Sequence, residues 1–336
     1  MSGCTIVAEV GQAHDGSLGT AHAFIDAVTD AGADAVKFQA HLAHAESTVD
    51  EPWRIRFSLQ DETRLDYWRR MEFTAEQWAG LYAHAHERGL EFVVSPFSVE
   101  AVALISATGV DRWKVASGEV GNRTLLDALA ADGRPVIVSS GMSDLAELAA
   151  AVDVLRRAGC DVTVLQCTSA YPCPPEELGL NLIAEYRDAL GVPTGLSDHT
   201  GTIAAGIAAA TLGATMLEVH VTFSRRAFGP DVSSSLTIEE LAHLVEGVRF
   251  ASTAMSSPVR ADKATDRAPM RALFTRSVAL TRPLPAGHLL TTEDLTLKKP
   301  GTGIPAERTD QLLGRRLRCD VPADRLLRED DLEPTP

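Results

Sequence analysis

Eight short apolar runs, each followed by a stretch with helical spacing, occupy roughly the first 255 residues of this 336-residue chain. The runs cover residues 5–10, 35–39, 91–95, 113–116, 135–139, 162–166, 194–196 and 216–221. Between them, Ala and Leu recur at three- and four-residue steps over 21–31, 75–88, 144–158, 203–212 and 238–255, the spacing of one buried helix face. Start signals agree: Thr74, and Ser143 or Asp144, supply short polar side chains for free backbone N–H groups. Gly32, Gly89, Gly159 and Gly213 stand just past helical runs, at the left-handed closing position. Eight parallel-type strands alternating with helices over about 250 residues imply an α/β chain folded as a (β/α)8 TIM barrel. A doubly wound open sheet has the same alternation, because pattern alone does not prove closure.

The alternation stops after Met255. Residues 256–275, rich in Ser, Pro, Asp, Lys and Arg, read as a linker, and 276–336 as a small module of short strands and turns. About sixty residues make a marginal core, so the module is expected to lean on the barrel or on another subunit. Residues 40–74 are too long for a plain connection between a strand and its helix, and long loops at a barrel top are commonly functional.

Lys and Arg total 31 against 46 Asp and Glu, a net charge of −15, which argues against nucleic acid as a partner. The five cysteines at 4, 160, 167, 173 and 319 contain no Cys-x-x-Cys pair, so neither a disulfide framework nor a zinc knuckle is indicated. A reducing, cytoplasmic setting is the simplest match. No run of eighteen apolar residues predicts a membrane span, and the start MSGCTIVAEVG lacks the pattern of an export signal.

Catalytic groups of a barrel project from the C-terminal ends of its strands. Those ends read Glu9 with His14 and Asp15; Lys37 and Gln39; Ser95; Lys114 and Ser117; Ser139 and Ser140; Gln166, Thr168 and Tyr171; Ser197, Asp198 and His199; Glu218 and His220. His199 and His220 close strands seven and eight, neighbours across the mouth, and an imidazole pair suits a borderline divalent ion such as Mn, Fe, Co or Zn. The other histidines, including His41, His44, His84, His86 and His243, read as solvated or helix-surface residues. Lys37 and Lys114 are embedded in buried-type sequence and call for an anion. Hydroxyls at Ser95, Ser117, Ser139 and Ser197, with nearby backbone N–H groups, provide the donors of a phosphate cradle. With no Walker loop and no G-x-G-x-x-G after a strand, a small phosphorylated acid is indicated rather than a nucleotide. Glu9 and Asp231 are the carboxylates best placed for proton work or for sugar hydroxyls. A salt bridge from Glu9 to Lys37 or Lys114 is compatible with that role.

The segments IVAEVGQAHDGS, DAVKFQ, FVVSPFS, WKVASGE, VIVSSGM, LQCTSAYPCP, GLSDHT, LEVHVTF and FGPD, in this order, resemble the motif series of the N-acetylneuraminate (sialic acid) synthase family. PLPAGHLLTTEDL and KKPGTGI resemble that family's C-terminal SAF, or antifreeze-like, domain. The resemblance implies a transferase that condenses phosphoenolpyruvate with the open-chain aldehyde of an N-acyl hexosamine, giving a nonulosonic 2-keto acid and phosphate. It implies a divalent metal, manganese first and Mg or Co next, on His199 and His220. It implies a phosphoenolpyruvate cradle of Lys37, Ser95, Lys114, Ser117, Ser139 and Ser197, with Glu9 near C2. Tyr171, Glu218 and Asp231 match positions of the amino-sugar site. Lys299 stands where the family commonly has an Arg that reaches into a partner subunit's site in a domain-swapped homodimer. Ala13, Ala40 and Ser169 also depart from the usual Asn, Thr and Asn.

Two other readings compete: condensation with a phosphorylated aldose, and a non-catalytic carbohydrate- or ice-binding protein built around the SAF module. For the condensing enzyme, an acidic chain holding a trianionic substrate is expected to gather Lys37, Lys114, the metal and Lys299 into a basic hole.

Overall fold

A computed structural model describes residues 3–258 and 267–334, which divide into two compact units at 257/258. In the first unit the elements run β1 (Thr5–Gly11), α1 (Leu18–Asp30), β2 (Ala35–Ala40), α2 (Ala43–Glu46), α3 (Arg64–Met71), α4 (Ala75–Glu87), β3 (Glu91–Pro96), α5 (Val99–Thr108) and β4 (Arg112–Val115). They continue with α6 (Arg123–Asp132), β5 (Val136–Ser139), α7 (Leu145–Arg157), β6 (Val162–Cys167), α8 (Leu182–Leu190), β7 (Thr194–Asp198), α9 (Ile203–Thr211), β8 (Met216–Thr222), β9 (Leu236–Thr237) and α10 (Ile238–Ser256). Strands β1 to β8 pair in sequence order, all parallel, and β8 pairs back onto β1, so the sheet closes and the open-sheet alternative is excluded. The two-residue strand β9 pairs in parallel with the end of β8 and leads into α10.

The capping signals act as the sequence suggests. Thr74 and Asp144 each form a reciprocal capping box, with Gln77 and Glu147, and the four closing glycines take φ between 78° and 92°. Three helices absent from the sequence reading, α5, α6 and α8, cover the remaining strands; Ser98 and Asn122 cap the first two through the N–H groups of Ala101 and Leu125. Helix faces and outward strand residues form one large core, while Val7, Ala35, Val93, Ile137, Leu165 and Met216 form a separate apolar plug inside the barrel. Gly195 is obligatory at its place on β7, because a Cβ there would lie 1.9 Å from the Met216 carbonyl oxygen. Residues 40–74 are not a bare loop: Ala43, Leu65, Tyr67, Trp68 and Met71, with Trp53 and Phe57 against them, make a small core of their own.

The second unit contains α11 (Ala268–Phe274) and the antiparallel pair β10 (Ser277–Leu280) and β11 (Leu295–Lys298). The rest is turns and single bridges around a core that includes Val278, Leu280, Leu284, Leu312, Leu317 and Leu327. The segment expected as a linker, 256–275, therefore holds the end of α10 and all of α11, and its residues 259–266 lie outside the described residues. Asp294 organises this unit, accepting from Thr291, Arg282 and His288.

Two stability outcomes follow. Gly195→Ala should lower the urea midpoint by the equivalent of at least about 3 kcal/mol, since overpacking against backbone has no relief, whereas Gly80→Ala, in an exposed turn of α4 with open space around it, should raise it by about 0.5–1 kcal/mol. Hydrogen bonds, led by the one from His288, hold the Asp294 carboxyl down at about 2 from its ordinary 3.8. A depressed carboxylate stabilises the folded state above its unfolded value and loses that contribution as pH falls toward the folded one. Asp294→Asn should therefore cost stability at pH near 7 and almost none near pH 2, as read by thermal melts of the second unit's transition.

Candidate active site

Side chains alternate along a strand, so the residue two steps after each plug residue also points into the barrel, one layer nearer the C-terminal end. Val7 is thus followed by Glu9, Ala35 by Lys37, Val93 by Ser95, Ile137 by Ser139, and Met216 by Glu218 and then His220. Pairing register sets the neighbours: Glu9 is opposite both Lys37 and His220, and Ser197 is opposite Glu218. The layer above the plug is therefore ionic and enclosed, with Glu9 at 0%, Lys37 at 2%, Lys114 at 3% and Glu218 at 3% exposure.

Within it the Lys37 ammonium lies 3.0 Å from Glu9 Oε1 and 3.8 Å from Glu218 Oε2, and donates to Ser95 Oγ at 3.1 Å. Lys114 Nζ lies 3.5 Å from Glu218 Oε1, which also accepts from Ser197 Oγ at 3.0 Å. Burial disfavours the charge on Lys37, yet Glu218 and Glu9 outweigh it and move the ammonium above its ordinary range. For Lys114 burial wins, with Lys37 adding repulsion against the pull of Glu218, and its pKa falls. Burial opposes ionisation of Glu218, but the two lysines and His220 hold its carboxyl below the usual range. Glu9 Oε2, Glu218 Oε2 and Ser139 Oγ are enclosed without a hydrogen-bond partner, a set of polar atoms that a polar ligand would satisfy.

His199 and His220 stand with ring centroids 5.3 Å apart, and Tyr171 stacks on His199 at 4.1 Å. His199 Nδ1 lies 2.8 Å from the Thr168 carbonyl oxygen, which can only accept; Nδ1 carries the proton, leaving Nε2 of the neutral ring with its lone pair. Burial lowers the His220 pKa against the opposing pull of Asp231 and Glu9, which favours its neutral, ligating form. At His199 the burial effect is overcome by the Cys167 thiol and the Thr168 carbonyl, and its pKa rises. Asp231, in the turn after β8, accepts from Arg54 at 2.6 Å, and the Arg54 guanidinium lies 4.3 Å above the Tyr171 ring.

These residues line one cavity of about 520 Å³, all of whose walls belong to the first unit. It gathers Glu9, Lys37, Ser95, Lys114, Ser117 and Ser139, and with them Tyr171, Ser197, His199, Glu218, His220 and Asp231. Lys299 belongs to the second unit, where its ammonium is 5.4 Å from the Phe274 ring centroid. His14, named at a strand end, is buried against Phe73 and is not among the lining residues.

His41 is a correction: it is buried rather than solvated, sandwiched between Trp68 at 3.8 Å and Phe97 at 4.5 Å, bonded to Glu46 at 2.6 Å, and lines the cavity. Glu46, Glu51, Arg54, Arg64 and Trp68 were also missed; all come from residues 40–74, whose length was the available signal. Lys37 and Lys114, two of the groups expected in a basic hole, line the cavity together with Arg54 and Arg64, beside six Asp and Glu side chains. Among the described residues no three His, Cys, Asp or Glu side chains converge as a metal-ligand group, so His199 and His220 are the two donors the protein itself could offer a borderline divalent ion here.

A profile of the NeuB family matches residues 24–260, and one of the SAF domain matches 275–333. The chain is 31% identical over 330 residues to N,N'-diacetyllegionaminic acid synthase of Campylobacter jejuni, covering 96% of this chain and 98% of that one. It is 33% identical over 336 residues to N-acetylneuraminate-9-phosphate synthase of Mus musculus, covering 98% and 93%. The crystal structure of N-acetylneuraminic acid (sialic acid) synthetase from Leptospira borgpetersenii in complex with citrate superposes with a TM-score of 0.71 at 28% identity, over 80% of this chain and 90% of that one. The chain belongs to the NeuB family and carries a SAF domain.

Proposed function

We propose that this protein condenses phosphoenolpyruvate with the open-chain form of an N-acyl hexosamine, N-acetylmannosamine or a related amino sugar, to give a nonulosonic 2-keto acid and phosphate. The observation that carries this reading is the enclosed Lys37–Glu9–Glu218–Lys114 layer directly beneath the His199–His220 pair in one cavity. A trianionic enol phosphate matches two buried ammonium groups ringed by Ser95, Ser117, Ser139 and Ser197. An aldehyde above it would face the imidazoles and Tyr171.

His199 and His220 would hold the divalent metal, for which manganese is our choice, and the ion would supply polarisation of the aldehyde oxygen. Lys37 and Lys114 hold the carboxylate and phosphate of phosphoenolpyruvate so that C3 faces the aldehyde carbon. As the C3–C bond forms, the aldehyde C=O π pair moves to its oxygen, which takes a proton from solvent, and the C2–C3 π pair is consumed so that C2 becomes electron-poor; water then adds to C2 while Glu9, whose Oε2 has no protein partner, accepts its proton. In the resulting tetrahedral phosphate ester the C2 hydroxyl gives its proton to the departing phosphate as the C2–O bond breaks, leaving the 2-keto acid. Glu218 keeps the lysines charged and oriented, and Asp231 and Tyr171 shape the sugar site. Stabilisation of developing charge by these fixed groups is expected to be the largest catalytic contribution.

We also propose that the chain acts as a domain-swapped homodimer in which Lys299 reads the sugar's N-acyl group in the site of a second copy. Lysine lacks the planar fork of arginine, so that contact would be single rather than two-pronged. Cytoplasmic placement is supported by the unpaired state of all five cysteines. Among the described residues no helix is long and apolar enough to cross a membrane.

Mass spectrometry of products formed from phosphoenolpyruvate, Mn2+ and a panel of N-acyl hexosamines tests the reading; a product heavier than the sugar by the pyruvate unit, with stoichiometric phosphate, is expected. Chelation should stop phosphate release and Mn2+ should restore it. His220→Ala should lower kcat by at least about 10³-fold with an unchanged far-UV spectrum, since loss of an electrostatic stabiliser at the reacting atoms alone costs about 10²–10³. Full activity in that variant would count against the assignment.

A further inference from the structure

We infer that His41 is a positioning residue for Glu9: acting through Gln12 and Gln39, it fixes which carboxylate oxygen Glu9 leaves for the water that adds to C2. This rests on the condensation reading above and adds a residue to its machinery. His41 directly follows β2, and Trp68 and Phe97 cover the two faces of its ring, so only the ring edge with its two nitrogens is open to polar partners. Nδ1 lies 2.6 Å from Glu46 Oε1, and since a carboxylate only accepts, Nδ1 carries the proton. In the neutral ring Nε2 then holds a lone pair, which accepts from Gln12 Nε2 at 3.1 Å. The register between β1 and β2 shifts between Glu9 and Gly11, and Gln12 leaves β1 with its amide beside that of Gln39. Its second N–H is donated to Gln39 Oε1.

A primary amide has one donor end and one acceptor end, so turning Gln39 Oε1 toward Gln12 turns the NH2 toward Glu9. Gln39 Nε2 donates to Glu9 Oε1 at 2.5 Å, the same oxygen that faces the Lys37 ammonium at 3.0 Å. Glu9 Oε1 is therefore held twice, and Oε2, enclosed and without a hydrogen-bond partner, is the oxygen left to take a proton. With Gln39 turned over, its carbonyl oxygen would meet the Glu9 carboxylate, acceptor against acceptor, and that contact would be lost. Two amides lie between His41 and Glu9, and an amide does not pass a proton along; the chain orients Glu9 rather than relaying its proton. Packing alone does not call for an imidazole at this place. A phenyl ring would fill the slot between Trp68 and Phe97, but it would leave the Glu46 carboxylate and one Gln12 N–H without these partners and Gln39 free to rotate.

The test compares phosphate release by the full chain and by His41→Phe with Mn2+, phosphoenolpyruvate and the faster of two acceptors, N-acetylmannosamine and a diacetamido-trideoxyhexose. His41→Phe should lower kcat about 10–100-fold, the cost of a reacting group misplaced by up to about 1 Å. Its far-UV spectrum should be unchanged, and its KM for phosphoenolpyruvate should move by less than about threefold, since the lysines that hold this substrate are untouched. The same substitution is then made in a Glu9→Asp background, whose shorter carboxylate cannot keep the Gln39 contact, and followed in single turnovers with enzyme in excess so that slow variants are still measured. There it should cost less than about twofold, because both changes act on one unit. A kcat for His41→Phe within about twofold of the parent, or an equal loss in both backgrounds, would overturn the inference and leave the condensation reading standing. Silence of the parent with both sugars would contradict the condensation reading itself, and this inference with it.

Discussion

Two lysines and two glutamates lie enclosed one layer above an apolar plug, and most of the site's design follows from how those four groups pair there. Removing an ion from water costs several kcal/mol even after relaxation, and a hydrophobic replacement of a buried ion pair is often as stable or more so. The cluster is therefore poorly explained as a device for stability. Its members satisfy one another only in part: Glu218 serves both lysines, while Glu9 and Glu218 each retain an oxygen with no hydrogen-bond partner. Carboxylate oxygens left in this state are free to accept from a further donor such as a water or a hydroxyl.

The barrel makes this arrangement from a simple rule. With period two along parallel strands in fixed register, plug residues and charged residues must alternate in layers, and the closure of β8 onto β1 brings His220 beside Glu9. Gly195 belongs to the same geometry, since β7 and β8 approach too closely there for any side chain. Above this layer, residues 40–74 fold on their own small core and supply paired charges and aromatic faces to the wall. The acidity of the whole chain thus continues into the cavity, where Lys37, Lys114, Arg54 and Arg64 stand among six Asp and Glu side chains.

Most of the barrel and its ionic layer were legible in the sequence because both depend on local order: strand runs, caps, and the identity of residues one or two places past each run. His41 was misread for the opposite reason. Nothing in its neighbours signals burial, which is imposed by Trp68 and Phe97, 27 and 56 residues further along the chain. Arg54 and Arg64 were overlooked likewise, since a positive residue in a long loop reads as solvated until Asp231 or Glu51 is seen against it. The helix α11 was hidden inside a segment whose Ser, Pro and charged residues read as a linker, although the part over 268–274 carries Ala, Met and Leu at helical spacing.

The account stands or falls on where the donor substrate and metal bind, and diffraction from crystals of the intact protein holding Mn2+ and phosphoenolpyruvate measures both at once. Anomalous density is expected within bonding distance of His199 Nε2 and His220, with the phosphate and carboxylate of the substrate on Lys37, Lys114 and Ser139. Manganese bound away from both histidines, or an enol phosphate held outside the ionic layer, would contradict it.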